Sequence, residues 1–399
     1  MGQSLEKQPS SHNLQREKIW TKGFTLTVIS NFFIFLGLQM TLPTIPLFVK
    51  QLGGNDQLVG IVVSLFTFSA LIFRPVAGKN LEVKGRGFVY TSGLGLFVVS
   101  VCGFGMIHSP VFLFLFRIMQ GIGWGFSSTA SGTIATDFIP PNRRGEGMGY
   151  FGLSGNLAMA FGPSLGLTLA GIISFPRLFF TCAVLGFISF VFACIIPYKK
   201  IEAVPVQRRK WDLFEKSALS PSFLLFFITL TFGGIAAFLP IYTGEKNIGG
   251  IHYYFLVYAI ALMISRSFSG RIYDRKGHQA VFIPGAALIL MAMSLLVWLP
   301  NQFALLSAGC LYGFGFGMVQ PALQAWAVKE APAHRKGMAN ATFFSFFDLG
   351  IGIGAITFGQ VAHFFGYSSI YLVAAFSVFI SILLYGMILK KNKLPLFPK

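Results

Sequence analysis

Long apolar runs separated by short polar links make up nearly the whole chain. The first six lie at about 24–49, 57–77, 87–107, 110–136, 146–171 and 177–197. A polar link over about 198–220 follows. The second six lie at about 221–242, 250–269, 279–299, 301–328, 338–365 and 368–389. Each is near or above the ~20 residues that a helix needs to cross hydrocarbon. Backbone groups that meet no water must pair within their own segment, so the runs predict helices. The expected fold class is all-α, a membrane protein of twelve transmembrane helices. The expected organisation is an N-terminal tail over 1–22, a six-helix bundle over 23–197 and a linker over 198–220. A second six-helix bundle covers 221–389 and a tail 390–399. The N-terminal tail is polar and lacks the apolar run of a cleavable signal peptide.

The two sets of six are related by an internal repeat. RPVAGKNLEVKG starts at Arg74 and RSFSGRIYDRKG at Arg266, an offset of 192 residues. Both have Gly at +4, an acid at +8 and Gly at +11: Gly78, Glu82 and Gly85, then Gly270, Asp274 and Gly277. At the same offset Gly121, Gly123, Gly125, Pro140, Arg143, Gly145 and Gly162 match Gly313, Gly315, Gly317, Pro332, Arg335, Gly337 and Gly354. One register kept from Arg74 to Gly162 implies two similar halves in tandem, hence two pseudo-symmetric bundles.

Composition sets the medium. Hydrophobic residues are 54% of the 399 and charged residues 11%, against about 25% charged in a soluble domain. Lipid must take up the excess. The net charge of +18 is spread over links rather than gathered on one face, which argues against nucleic acid. Of the 31 Lys and Arg, 25 fall in the tails and one alternating set of links, and 3 in the other set. By the positive-inside rule both termini and the central link are expected in the cytoplasm. Cys102, Cys182, Cys194 and Cys310 lie inside apolar runs without metal-ligand spacing, so no disulfide and no metal site is expected. In the central link, Trp211, Phe214 and Leu219 share a helical face, which fits a short helix on the inner leaflet or a solvated tether equally well.

The paired halves and loops resemble the major facilitator superfamily over roughly residues 24–389. Gly78, Glu82, Gly85 and Arg86 are similar to its signature between the second and third helices, with Glu for the usual Asp. Gly270, Asp274, Arg275 and Gly277 are closer to the pattern. Gly37, Pro43 and Pro46 fit the first-helix pattern. Arg117, Gln120, Gly121, Gly123 and Gly125 fit the fourth. Gly149, Gly162, Pro163 and Gly166 follow the antiporter signature of the fifth helix, with Ala158 and Leu167 replacing two of its glycines. In the family that signature accompanies exporters, especially drug–proton antiporters.

The residues also support physical expectations of their own. Gly78 and Gly270 would let helices approach where they leave the membrane. Glu82 and Asp274 could pair with Arg143, Arg144 or Arg335 and lock an inner gate. Arg74, Arg86, Arg266 and Arg275 belong to the same gating segments. Asp137 and Glu146 could pair with Arg143, Arg144 or Lys84. Pro163 removes a backbone donor and should loosen the fifth helix. The Gly-rich runs GIGWG and GFGFG lie inside spans with no preceding strand, so they are not nucleotide loops.

Charge inside a span costs about 3 kcal/mol by insertion scales and needs a partner or a water-lined cavity. Asp348 and Arg117 are the two such groups expected to couple protons. Burial disfavours a charged carboxylate and a nearby cation favours it, so exposure to one side or the other could toggle Asp348. At the constant offset Asp348 matches Asn156, so the halves differ at their polar centres. Asn31, Gln39, Gln120, Asn156 and Gln320 would give a cavity polar anchors, and Phe33, Trp124, Phe344 and Phe347 aromatic walls. His108, His252 and His363 have no cluster spacing.

The expected function is proton-coupled efflux of a small molecule by alternating access. Proton-coupled uptake of a nutrient is the alternative, and a receptor on a transporter scaffold a third. No enzyme activity and no cofactor is expected. The expected partners are a small-molecule substrate, protons and the lipid bilayer, with one chain forming a complete pathway. The resemblance points to a bacterial plasma membrane.

Overall fold

The computed structural model describes residues 18–107, 110–140, 143–198, 214–332 and 335–391. Twelve α-helices follow one another among them: α1 (Lys22–Gln51), α2 (Asp56–Val83), α3 (Arg86–Phe104), α4 (Pro110–Phe138), α5 (Arg144–Ile172) and α6 (Phe175–Ile195), then α7 (Leu219–Glu245), α8 (Ile251–Lys276), α9 (Gln279–Trp298), α10 (Gln302–Lys329), α11 (Lys336–Phe365) and α12 (Tyr367–Lys391). Eleven are long and apolar enough by themselves to cross a membrane. The remaining one, α4, packs along α2 and α3.

Starts and turns follow local chemistry. Thr21, Asn55 and Asn301 cap α1, α2 and α10, each side chain accepting a bond from a first-turn N–H. Gly85 and Gly277 have φ of +89° and +77°, a conformation open to glycine. That explains why this pair recurs at the repeat offset. Serines and threonines inside the spans satisfy their hydroxyls on carbonyls a turn back, as Thr129 does on Gly125 at 2.6 Å.

Packing repeats as the sequence does. A methyl group on Gly121 would strike Phe66 O and Ser69, and one on Gly313 would strike Tyr258 O and Ala261. Gly125 sits on Ala70 as Gly317 sits on Leu262. Gly123 meets Gly93 and Phe97, and Gly315 meets Gly285 and Ile289. All these neighbours are 192 residues apart. The glycines let α4 and α10 lie against two helices each, backbone to backbone. The outward faces carry exposed Phe112, Leu115, Val184, Phe187, Phe376 and Leu383, as a lipid-facing surface requires.

Two helix pairs join the halves: α2 with α11, and α5 with α8, with α1 also meeting α7. One end of this seam is tight. There Gln57 Nε2 donates to Gln360 Oε1 at 2.8 Å, and Ser64 Oγ donates to Gly352 O at 2.6 Å. Tyr367 Oη donates to Asp56 Oδ1 at 2.6 Å, while Lys50 holds the same carboxylate oxygen at 2.7 Å. At the other end, where the Lys- and Arg-rich links lie, a methyl group at Gly78, Gly149, Gly152 or Gly270 would meet nothing within 4 Å. Gly78 and Gly270 therefore do not draw helices together here, contrary to the sequence expectation. We call these the far end and the basic end.

Residues 208–213, the first half of the leaflet helix expected over 208–219, lie outside the described residues. Where the link becomes described, Phe214 packs on Phe346 of α11 at 6.1 Å, and the Glu215 N–H donates to Thr342 Oγ1 at 2.9 Å. A single 3₁₀ turn, Lys216–Ala218, then leads into α7.

Candidate functional site

Asp348 is, among the described residues, the one acid more than a turn inside a helix. It stands on α11, twelve residues from the helix start. Its cation is Arg74 of α2: Nη1 lies 2.7 Å from Oδ2. The contact is an ion pair, and Arg74 Nε is buried without an acceptor. Arg74 is thus inside a helix, nine residues before its end, and not in the gating link. The pair ties the first half to the second.

The repeat builds a second reach across the seam. Arg266 of α8 donates through Nη1 to Asn156 Oδ1 of α5, and through Nη2 to Gln320 Oε1 of α10 at 2.8 Å. Arg266 matches Arg74 and Asn156 matches Asp348 at the 192-residue offset. The two contacts are therefore the same contact, made once with an acid and once with an amide. From Gln320 the bonds run on: Nε2 to Gln324 Oε1 at 3.3 Å, and Gln324 Nε2 to Asn340 Oδ1 of α11 at 2.8 Å.

Arg117 is elsewhere. It is 0% exposed, and the groups that hold it lie in the first half. Nε donates to Val62 O at 3.0 Å, Nη1 donates to Gln120 Oε1 at 2.6 Å, and the guanidinium lies 4.7 Å from the Phe66 ring centre. Gln120 in turn donates to Thr41 Oγ1 at 3.4 Å. This is a sealed clamp between α1, α2 and α4. The structure does not bring Arg117 to Asp348 as the sequence expectation paired them.

The other expected cavity residues divide. Asn31 donates to Ser154 Oγ of α5 at 2.9 Å and is buried, with Oδ1 unpartnered. Gln39 is buried and backs onto Gly162, and Met40 onto Gly166, so these two glycines let α1 and α5 touch beside Pro163. Trp124 meets Phe35 edge-on at 4.5 Å. Phe344 and Phe347 are half-buried neighbours on α11, 6.2 Å apart, and Phe347 also faces Phe316 of α10. Phe33 instead stacks on Phe192 of α6. Gly149, the first glycine of the same signature, touches no neighbour.

At the basic end the carboxylates pair within their own half. Arg86 Nε donates to Asp137 Oδ2 at 2.8 Å, and Arg143 holds Glu146 at 2.9 Å. Arg335, the repeat partner of Arg143, holds Glu215 instead. Glu82 and Asp274 are exposed and have no hydrogen-bond or ion-pair partner among the described residues. The expected lock to Arg143, Arg144 or Arg335 is not made, and Arg144 and Arg275 stand exposed. A surface groove of about 440 Å³ between α3 and α6, lined by Phe88, Leu96, Val99 and Phe190, faces outward and holds no charged group.

The model of one family, described as Major Facilitator Superfamily, matches residues 27–355 and again 288–396. The chain belongs to the Major Facilitator Superfamily. Among its members, an uncharacterized MFS-type transporter of Methanocaldococcus jannaschii is 26% identical over 90% of this chain and 96% of its own. The quinolone resistance protein NorA of Staphylococcus aureus is 23% identical over 83% of this chain and 87% of its own. The staphylopine export protein of the same species is 23% identical over 84% and 88%. The solved structure of the nucleoside transporter NupG superposes with TM-score 0.72 at 15% identity, covering 92% of this chain and 99% of its own. The chain is therefore a superfamily transporter of twelve helices and not an enzyme.

Two features of the site escape a reading of the sequence alone. Arg74 and Arg266 lie three positions from the ends of their expected spans, 57–77 and 250–269, and so group with the gating segments. In the structure they stand nine and ten residues before the ends of α2 and α8, well inside the helices. The offset itself holds the signal, since it aligns Arg74 with Arg266 and Asn156 with Asp348.

Proposed function

We propose that this transporter exports a small molecule in exchange for protons, with Asp348 as the proton-bearing group and the basic end facing the cytoplasm. The Arg74–Asp348 pair carries the reading. It is, among the described residues, the one place where a mid-span acid meets a cation across the two halves. With Asp348 ionised, the pair ties α2 to α11. With Asp348 protonated, the attraction is lost and the halves are freer to rock. A proton thereby biases an equilibrium between two shapes, which is what coupling requires. We read the arrangement described, with the far end tight and the pair made, as open toward the basic end. It corresponds to the proton having left toward the cytoplasm, ready for cargo from that side. The resemblance of the fifth helix to the antiporter signature and the Staphylococcus aureus relatives support export over uptake. A single chain forms the whole path and sits in the plasma membrane with both termini in the cytoplasm.

The test is transport in inside-out vesicles with an imposed pH gradient, over a panel of quinolones and metabolites. Gradient-driven accumulation that Asp348→Asn abolishes, with folded protein still in the membrane, is the expected result. Accumulation only in right-side-out vesicles makes the protein an importer. Full gradient-driven activity in Asp348→Asn removes Asp348 from coupling.

A further inference from the structure

We propose that the guanidinium of Arg266 is the docking point for an anionic group, a carboxylate, on the transported molecule. The inference rests on the reading of the seam as the transport path and names the class of cargo it takes.

Three cations lie well inside the spans among the described residues, Arg74, Arg117 and Arg266, against the single acid Asp348. A charge inside the membrane needs compensation. Arg74 has it in Asp348 at 2.7 Å. Arg117 is sealed at 0% exposure among a backbone carbonyl, an amide oxygen and an aromatic face, where no ligand reaches it. Arg266 has only the neutral oxygens of Asn156 and Gln320, and its Nε is buried with no acceptor at all. It is also the partly exposed one of the two uncompensated arginines.

The repeat says what is missing. Where Arg74 finds an aspartate, Arg266 finds an asparagine, one oxygen and one charge short. A carboxylate from a ligand supplies both. It would meet the planar fork of the guanidinium with two parallel bonds, a geometry that arginine favours over lysine. The amides of Asn156 and Gln320 can turn aside and donate to the same carboxylate, since each carries two N–H groups. Gln324 and Asn340 extend the polar track along α10 and α11 toward the basic end. The cargo's acid then plays toward Arg266 the part that Asp348 plays toward Arg74.

The test uses the purified full chain in detergent at constant ionic strength, with no proton gradient. Thermal unfolding is followed with aromatic amphipathic acids, quinolones among them, each paired with its methyl ester. The acids should raise the midpoint of the wild type well above their esters. Arg266→Gln should erase that preference, a loss of about tenfold or more in relative affinity. Asn156→Asp keeps Arg266 and gives it a resident acid. It should raise the ligand-free midpoint and weaken the acid response by a similar factor. Esters equal to acids, no acid that binds, or an unchanged response in Asn156→Asp would each overturn the proposal. So would chloride in place of gluconate reproducing the effect, which would make the counter-charge an inorganic ion. Because no gradient is present, acid preference and proton coupling fail separately.

Discussion

Arg74 Nη1 lies 2.7 Å from Asp348 Oδ2, and the same reach in the other half, from Arg266, ends on Asn156. One duplicated contact has become two different ones. The first is an ion pair between two resident side chains. The second is a cation held by amides that can let go. Both join the halves, so whatever changes either one changes how the halves are tied.

The ion pair can be tested by a double-mutant cycle. Removing one partner leaves the other charge poorly compensated, whereas removing both does not. Arg74→Gln should lower the unfolding midpoint, and adding Asp348→Asn should recover part of the loss. The expected coupling is about 1–3 kcal/mol. Gradient-driven transport should stay lost in both singles and in the double. Additive midpoints would mean that the pair contributes nothing to the fold.

Arg117 should behave as a structural clamp. Arg117→Met leaves Val62 O and Gln120 without their donor, and should cost about 2–4 kcal/mol in thermal stability. Arg117→Lys keeps the charge but loses the two-pronged geometry, and should recover only part. A stable Arg117→Met protein that has lost proton-driven transport would return this residue to the coupling machinery.

The far-end contacts should hold that end shut. Tyr367→Phe removes the bond to Asp56 and leaves the ring. Losing one such bond, worth about 1.5–3 kcal/mol to a charged acceptor, should raise the population open at the far end about tenfold or more. A cysteine at Ser64, buried against Gly352 in the closed seam, reports this as faster labelling by an aqueous maleimide. An unchanged labelling rate would show that the seam is held by packing alone.

His278, in the short turn between α8 and α9, gives a pH prediction. It stacks on Trp326 with ring centres 4.3 Å apart and bonds Tyr385 Oη through Nδ1 at 2.7 Å. Burial lowers its pKa below the ordinary 6.5, with Glu330 raising it and Lys329 lowering it again. The unfolded chain therefore takes up the proton first. Stability from this residue is complete above pH 6.5 and falls as the pH drops through the lower folded value. His278→Gln should flatten that part of a midpoint-against-pH curve. An equal acid slope in both proteins would remove His278 as its source.

Spans, repeat and fold were legible because lipid permits few solutions. About twenty apolar residues with no partner for their backbone must be helical, and a duplicated glycine pattern must pack in duplicate. Asp348 was legible for the same reason, as a charge where charge is costly. Its partner was not. Arg74 sits three positions from the end of its expected span, and linear distance cannot say whether a long side chain turns back into the span. The expected pairing of Glu82 and Asp274 failed differently: those contacts depend on the shape adopted, and one sequence serves more than one shape. Gln324 and Asn340 became visible only once α10 and α11 were side by side.

A single titrating carboxylate at the centre has a thermodynamic consequence under these proposals. One proton moves per cycle, and each pH unit is worth about 1.4 kcal/mol, a concentration ratio of about tenfold. Any steeper accumulation must come from voltage, about 2.3 kcal/mol per charge for each 100 mV. An anion leaving while a proton enters moves two charges in the same electrical sense. With one acid where the repeat has room for two, such an exchanger would draw its strength from membrane potential more than from acidity.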